Sequence, residues 1–264
     1  MKHRRLIAGM IAAGALLACS AMPAAALSGA PYIAPGSYDV IHILAPPPAR
    51  GSEAERRDLE EVLEYQRTSG PERVRLAEAD ATDDISAFSS VLGLDPAKLP
   101  GVAAFLRKAA RDTQFATATA KDCWERPRPF VLDMRIHPPG MMQQQVAGRP
   151  GEKNTAPHDA SSPCPPLQPA PAYSYSYPSG HSTRGAMTAI LLAEMVPEKR
   201  SEIFARGWDF GVSRIIGGVH YPSDVEAGRI DATAMVSIML QNRDFQSDLA
   251  AARAELRKAM GLEP

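Results

Sequence analysis

An excess of charge of either sign is missing from this chain: 29 basic residues meet 30 acidic ones, and the formal net charge is -1. That balance excludes a general basic face for nucleic acid, so any cluster of Lys or Arg has to be a local device. Long apolar runs are scarce too. Leu6 to Leu17 is an apolar run shorter than the ~20 residues that cross a bilayer, and no other apolar run comes near that length, so no membrane span is expected. Strand signals are few, which predicts an all-α, single-domain helical bundle. Cysteine is limited to Cys19, Cys123 and Cys164.

What is present begins with an export pattern. Lys2, Arg4 and Arg5 form a basic start, Leu6 to Leu17 an apolar stretch, and Ala24-Ala25-Ala26 a small-residue cleavage site. Residues 1–26 therefore read as a signal peptide and the mature protein as periplasmic. Leu16-Leu17-Ala18-Cys19 resembles a lipoprotein cleavage site with Cys19 lipidated, and stays as the second reading. With Cys19 removed, Cys123 and Cys164 are an even pair in an oxidising compartment, where a disulfide is expected.

Residues 27–51 are rich in Pro, Ala and Gly and predict an N-terminal arm, extended on the domain or disordered; residues 52–264 carry the helical domain. Ser52 with Glu55 makes a capping box for a helix ending before Gly70-Pro71, and Thr82 to Leu92 is a weaker helix. Asp80, Asp83 and Asp84 fit the solvated, capped start of that helix or a metal site. From Pro100 the apolar pattern runs toward Lys121, and Arg126-Pro127-Arg128-Pro129 stops it. Residues 130–177 have no sustained period and read as a long Pro-rich loop holding His137 and His158, both expected to be exposed. Tyr173, Tyr175 and Tyr177 line a substrate cleft or pack along an edge. Two stripes follow, Met187, Ile190, Leu191, Met195 and then Ile203, Phe204, Gly207, Trp208, Gly211, Val212, Ile215. Pro222 opens another helix, and an amphipathic helix runs from about Asp244 to Met260.

Three stretches carry chemistry, each at a predicted helix end. Ser213 to Asp224 puts Arg214, His220 and Asp224 in one short length of chain. A guanidinium fork recognises a tetrahedral oxyanion, an imidazole attacks phosphorus or carries a proton, and a carboxylate four residues on fixes one tautomer. Pro178-Ser179-Gly180-His181 opens a helix, where free amides and the macrodipole attract an anion. Lys121 and Arg128, separated by six residues, add two more cations. Read alone, the Arg214 stretch is also compatible with a plain loop, Arg214 on the surface and His220 as a satisfied buried imidazole.

These segments resemble the tripartite signature of the superfamily that joins type 2 phosphatidic acid phosphatases with vanadium haloperoxidases. The text around them, Ser176-Tyr177-Pro178-Ser179-Gly180-His181 and Phe210-Gly211-Val212-Ser213-Arg214, is most similar to the class A bacterial nonspecific acid phosphatases. The resemblance implies His220 as the nucleophile that forms a phosphohistidine, Asp224 as its orienting carboxylate and His181 as general acid. It implies Lys121, Arg128, Ser179, Gly180 and Arg214 as the phosphate cage. It further implies small-molecule phosphate monoesters as partners, with no cofactor and no metal, and it leaves a homo-oligomer open. The rivals are a vanadium-dependent haloperoxidase using the same cage, a noncatalytic phosphate-binding protein, and a metal site on His181, His220 and Asp224. The long Pro-rich insert before Pro178 departs from the family pattern at the substrate cleft.

Overall fold

From its N-terminal side the chain builds a short helix α1 (Val40–Ile43), then α2 (Glu53–Thr68), α3 (Pro71–Ala79), α4 (Ser89–Leu92), the long α5 (Pro100–Trp124) and two short helices, α6 (Pro129–Leu132) and α7 (Gly140–Gln145). Four long helices close the bundle: α8 (Gly180–Met195), α9 (Arg200–Ile216), α10 (Pro222–Met239) and α11 (Arg243–Ala259). The computed structural model describes residues 30–34, 36–82, 85–146, 164 and 174–263, and among them there is no strand. The expected leader 1–26 with Cys19 lies outside these residues, as do Asp83, Asp84, His158 and Tyr173.

Helix starts follow the local chemistry. Ser52 Oγ accepts from the Glu55 amide at 3.1 Å, while the Glu55 carboxylate accepts from Gly51 rather than from the cap residue itself. Pro71, Pro100, Pro129 and Pro222 each stand in the first turn, where a missing N–H costs nothing. α5 ends at Trp124, closed by Glu125 at φ 46°, so the Arg-Pro pairs begin just past the cap. The predicted helix from Thr82 is shorter than its pattern: a 3-10 turn over Ile85–Phe88 leads into α4, which Gly93 ends at φ 77°. α6 and α7 fall in the stretch that shows no sequence period, and His137 is exposed there as expected.

α8 is the central helix, flanked by α9 and α10, with α5 and α11 across the main core. Leu191, Leu192, Met187 and Met195 of α8 meet Phe105, Leu106 and Phe245 there, all fully buried. The arm is fixed to this core. Backbone amides of Tyr32 and Ile33 donate to Asp112 at 2.8 and 3.0 Å, and the Tyr32 ring meets Phe245 edge-on at 5.0 Å. On α9 the buried face differs from the apolar stripe: Phe204 and Trp208 are 44% and 43% exposed, while Arg206 and Arg214 are buried. A stripe drawn from apolar residues misses two arginines that the fold turns inward for polar partners.

Candidate active site

The site forms where the start of α8, the end of α9 and the start of α10 converge. Two contacts bring these ends together. The Ser179 amide donates to the Asp224 carbonyl at 2.9 Å, and a Cβ placed on Gly228 would stand 2.6 Å from the Ser179 carbonyl oxygen. Only glycine lets α10 come so near the first turn of α8. Ser179 is fully buried and caps α8 through the Ser182 amide, and Gly180 lies against Thr117 of α5.

The chain between α9 and α10 turns at Gly218, whose φ of 65° and close neighbours Ile136 and Gln66 leave no room for a side chain. Past that turn the His220 and Val219 amides donate back to the Arg214 carbonyl. His220 is buried. Its Nδ1 lies 3.1 Å from Asp224 Oδ2, and a carboxylate accepts only, so Nδ1 carries the proton. Nε2 keeps its lone pair and faces the Arg128 guanidinium at 3.0 Å. Asp224 is itself held: Oδ2 accepts from the Tyr221 amide at 3.0 Å and Oδ1 from Arg126 at 2.6 Å.

Arg126 is the functional residue the motif spacing passes over. Only Arg128 fits the six-residue gap from Lys121, yet Arg126 bonds Asp224, Asp58 at 2.7 Å and Ser223 at 2.7 Å, with its guanidinium stacked 3.6 Å over the Tyr221 ring. The doubled Arg-Pro text offers a second register, but nothing in it distinguishes an inward Arg126 from a plain helix stop.

The cations gather around His220. Lys121 Nζ donates to the carbonyls of Tyr175 and Ser176 at 2.7 and 3.0 Å, and Arg128 to those of Val219 and Ser174 at 2.7 and 2.8 Å. Tyr175 thus contributes its backbone to the cations, and Tyr177 packs edge-on against Trp124 at 5.1 Å. Burial comes first in holding all three cations below their usual values; Arg128 then lowers Lys121, Arg214 lowers Arg128 and Arg184 lowers Arg214, although the guanidinium groups stay charged at any physiological pH. Cys123 and Cys164 are joined in a disulfide.

His181 stacks on Phe210 at 6.0 Å, and its Nε2 lies 3.1 Å from the Ala81 carbonyl. A carbonyl accepts only, so Nε2 bears the proton and Nδ1 is the titrating nitrogen. Burial and then Arg214 push His181 down to about 3; burial and then Arg128 push His220 well below the usual imidazole value. Acid–base chemistry between two histidines requires separated values, and burial with the neighbouring cations instead depresses both. Lys121, Arg128 and Arg214 act on both rings, and the carboxylate paired with His220, Asp224, is shared with Arg126.

The helical bundle brings three cations, two imidazoles and a helix start together at one place. The profile of the PAP2 superfamily matches residues 102–247. An acid phosphatase of Zymomonas mobilis is 33% identical over 228 residues, 84% of this chain and 76% of that one. A non-specific acid phosphatase of Salmonella typhimurium is 33% identical over 222 residues, 81% of this chain and 78% of its own length. One from Providencia stuartii is 43% identical over 83 residues, 31% of this chain and 34% of that protein. The chain belongs to the PAP2 superfamily, among its bacterial non-specific acid phosphatases.

Proposed function

We propose that this protein is an exported acid phosphatase that hydrolyses phosphate monoesters through a phosphohistidine on Nε2 of His220, without a metal. The observation that carries the reading is the tautomer of His220: Asp224 holds the proton on Nδ1, and the Nε2 lone pair faces Arg128. Lys121, Arg128 and Arg214, with the Ser179 hydroxyl and the Gly180 amide, form the phosphate cage and balance the charge of the transferring group, the Ser179 amide being spent on the Asp224 carbonyl.

The steps follow. Nε2 of His220 attacks phosphorus and the bond to the ester oxygen breaks. His181 gives its Nδ1 proton to that oxygen, so the leaving group departs as an alcohol. Water then attacks phosphorus, the P–N bond breaks, and the water proton passes to His181. The substrate's own negative charge raises His181 from about 3 into the acid working range.

Export rests on the leader pattern of residues 1–26, and the Cys123–Cys164 bridge suits an oxidising compartment such as the periplasm. Among the described residues no helix is long and apolar enough to cross a membrane. The disulfide belongs to the same picture because thiols are kept reduced in the cytosol.

The test is rapid acid-alkali quenching of enzyme mixed with labelled ester. Wild type should carry label on histidine and His220→Ala none, with turnover lower by roughly 10⁴-fold or more. His181→Ala should lose about 10²-fold or more on alkyl phosphates and far less on nitrophenyl phosphate, whose leaving group needs no proton. Activity after dialysis against a chelator should stay at the wild-type level; its loss, restored by a divalent cation, would overturn the metal-free reading. Peroxide-dependent halide oxidation after vanadate loading, in place of phosphate release, would favour a haloperoxidase.

A further inference from the structure

We propose that Asp80, the cap residue at the end of α3, is a positioning residue for the acid side of the site, acting on His181 through the Ala81 carbonyl and on Arg214 through Ser213. The inference rests on the reading of His181 as general acid, and goes beyond it by assigning what holds that ring.

Asp80 is 2% exposed, so its carboxyl group lies in the protein interior. Arg206 of α9 grips it with both terminal nitrogens, Nη1 donating to Oδ2 at 3.0 Å and Nη2 to Oδ1. Ser213 Oγ donates to Oδ2 at 2.7 Å, and Arg73 Nη1 donates to that same hydroxyl at 3.0 Å. Arg206 is anchored in turn, its Nε donating to the Ala87 carbonyl at 2.8 Å. A buried carboxylate with a bidentate partner and a third donor is fixed in place.

Its two neighbours along the chain and in space are what matter. Ala81 follows directly in sequence, and its carbonyl accepts from His181 Nε2 at 3.1 Å. Ser213 directly precedes Arg214, on which the Asp80 charge also acts, opposing the fall caused by burial. One carboxylate therefore stands behind the imidazole that protonates the leaving group and behind a cation of the cage. Among the described residues, His181 has no hydrogen-bonded carboxylate of the kind His220 finds in Asp224, and its ring partner is the Ala81 carbonyl. A backbone carbonyl does that work for it, and a carbonyl is only as well placed as its own segment. The mutual geometry of a proton donor and its target commands large rate factors, so a loosened ring slows the step it serves.

The experiment is a comparison of Asp80→Asn, Ser213→Ala and His181→Ala on nitrophenyl phosphate and an alkyl phosphate, joined to nitrogen-15 NMR of the His181 ring. Wild type should show the Nε2–H tautomer. Asp80→Asn should show a mixture of both tautomers and lose roughly tenfold or more in kcat on the alkyl ester, against less than about threefold on the aryl ester. Ser213→Ala, which leaves the Arg206 pair intact, should move both readouts the same way by less, and serves should Asp80→Asn not fold. If Asp80→Asn slows both esters equally, or leaves the ring signals unchanged, Asp80 is a structural acid only and the proposal is wrong. If His181→Ala fails to separate the two esters while Asp80→Asn still mixes the tautomers, the acid role of His181 falls and the positioning of its ring by Asp80 stands.

Discussion

Asp224 is a carboxylate with two tasks, and at the scale of the residue Arg126 decides how well it performs them. Oδ2 orients His220 while Oδ1 is held by Arg126, which also reaches Asp58 and Ser223. Ser223 Oγ closes the ring by donating to Asp58. Removing the guanidinium would take from two buried carboxylates, Asp224 and Asp58, the donor that joins them, a loss of about 3–5 kcal/mol. Arg126→Ala should therefore lower the denaturation midpoint sharply. Arg126→Lys keeps one charge but cannot span Asp224 and Asp58 together. We expect it to fold, with kcat lower by roughly tenfold or more and KM little changed, since the cage of Lys121, Arg128 and Arg214 is intact. Steady-state kinetics on nitrophenyl phosphate check this; a rise in KM at constant kcat would assign Arg126 to the cage instead of to the nucleophile.

At the scale of the element, the site depends on helices whose ends meet closely. The Gly228 position on α10 faces the Ser179 carbonyl at 2.6 Å, Ser182 Cβ at 2.9 Å and the Thr183 amide at 3.0 Å for any added Cβ. Two of those three obstacles are backbone, which cannot rotate away. Gly228→Ala should cost roughly 1–3 kcal/mol and shift the Ser179-Gly180-His181 turn, so that KM and kcat both worsen. Gly211→Ala meets Val225 and Ser182 side chains at 2.9 and 3.2 Å and should cost less, with kinetics closer to wild type. Thermal melts of the two variants compare them directly. The helices were legible in the chain wherever a proline or a cap marked a start, as at Pro100, Pro222 and Ser52. The end of α8 that bears His181 and the turn that bears His220 were legible because their text is chemical. Arg126 and Asp80 were not. Each acts through partners far away in sequence, and a lone Asp or Arg carries no period by which a buried role shows itself. The exposed Phe204 and Trp208 are the same lesson on α9: hydrophobicity alone could not foresee that Arg206 and Arg214 would take the inner face, while Trp208 lies under the Arg229 guanidinium at 3.9 Å.

For the whole molecule, the charge crowding of the site sets how stability responds to acid. His181 is lowered to about 3 and His220 well below 6.5 in the folded protein. Below about pH 6.5 the unfolded chain binds protons that these folded rings refuse, so stability is lost as the pH falls, with a slope approaching about 1.4 kcal/mol per pH unit for each ring. Asp231 acts in the opposite sense. Burial raises it to about 6, and Tyr38 donates to its Oδ1 at 2.5 Å. Between about 6 and 3.8 the folded state takes up a proton that the unfolded state does not, and stability is gained as the pH falls. Urea titrations at pH 7, 6 and 5 should therefore show a declining midpoint for the ligand-free protein. Asp231→Asn, which removes the compensating gain, should decline more steeply. Saturating phosphate should flatten the decline, because a dianion beside His181 and His220 lifts both rings toward their unfolded values and closes the gap in proton uptake that the acid exploits. A midpoint independent of pH from 7 to 5, equal with and without phosphate, would mean that the two imidazoles titrate normally and that the cations do not act on them as the geometry requires.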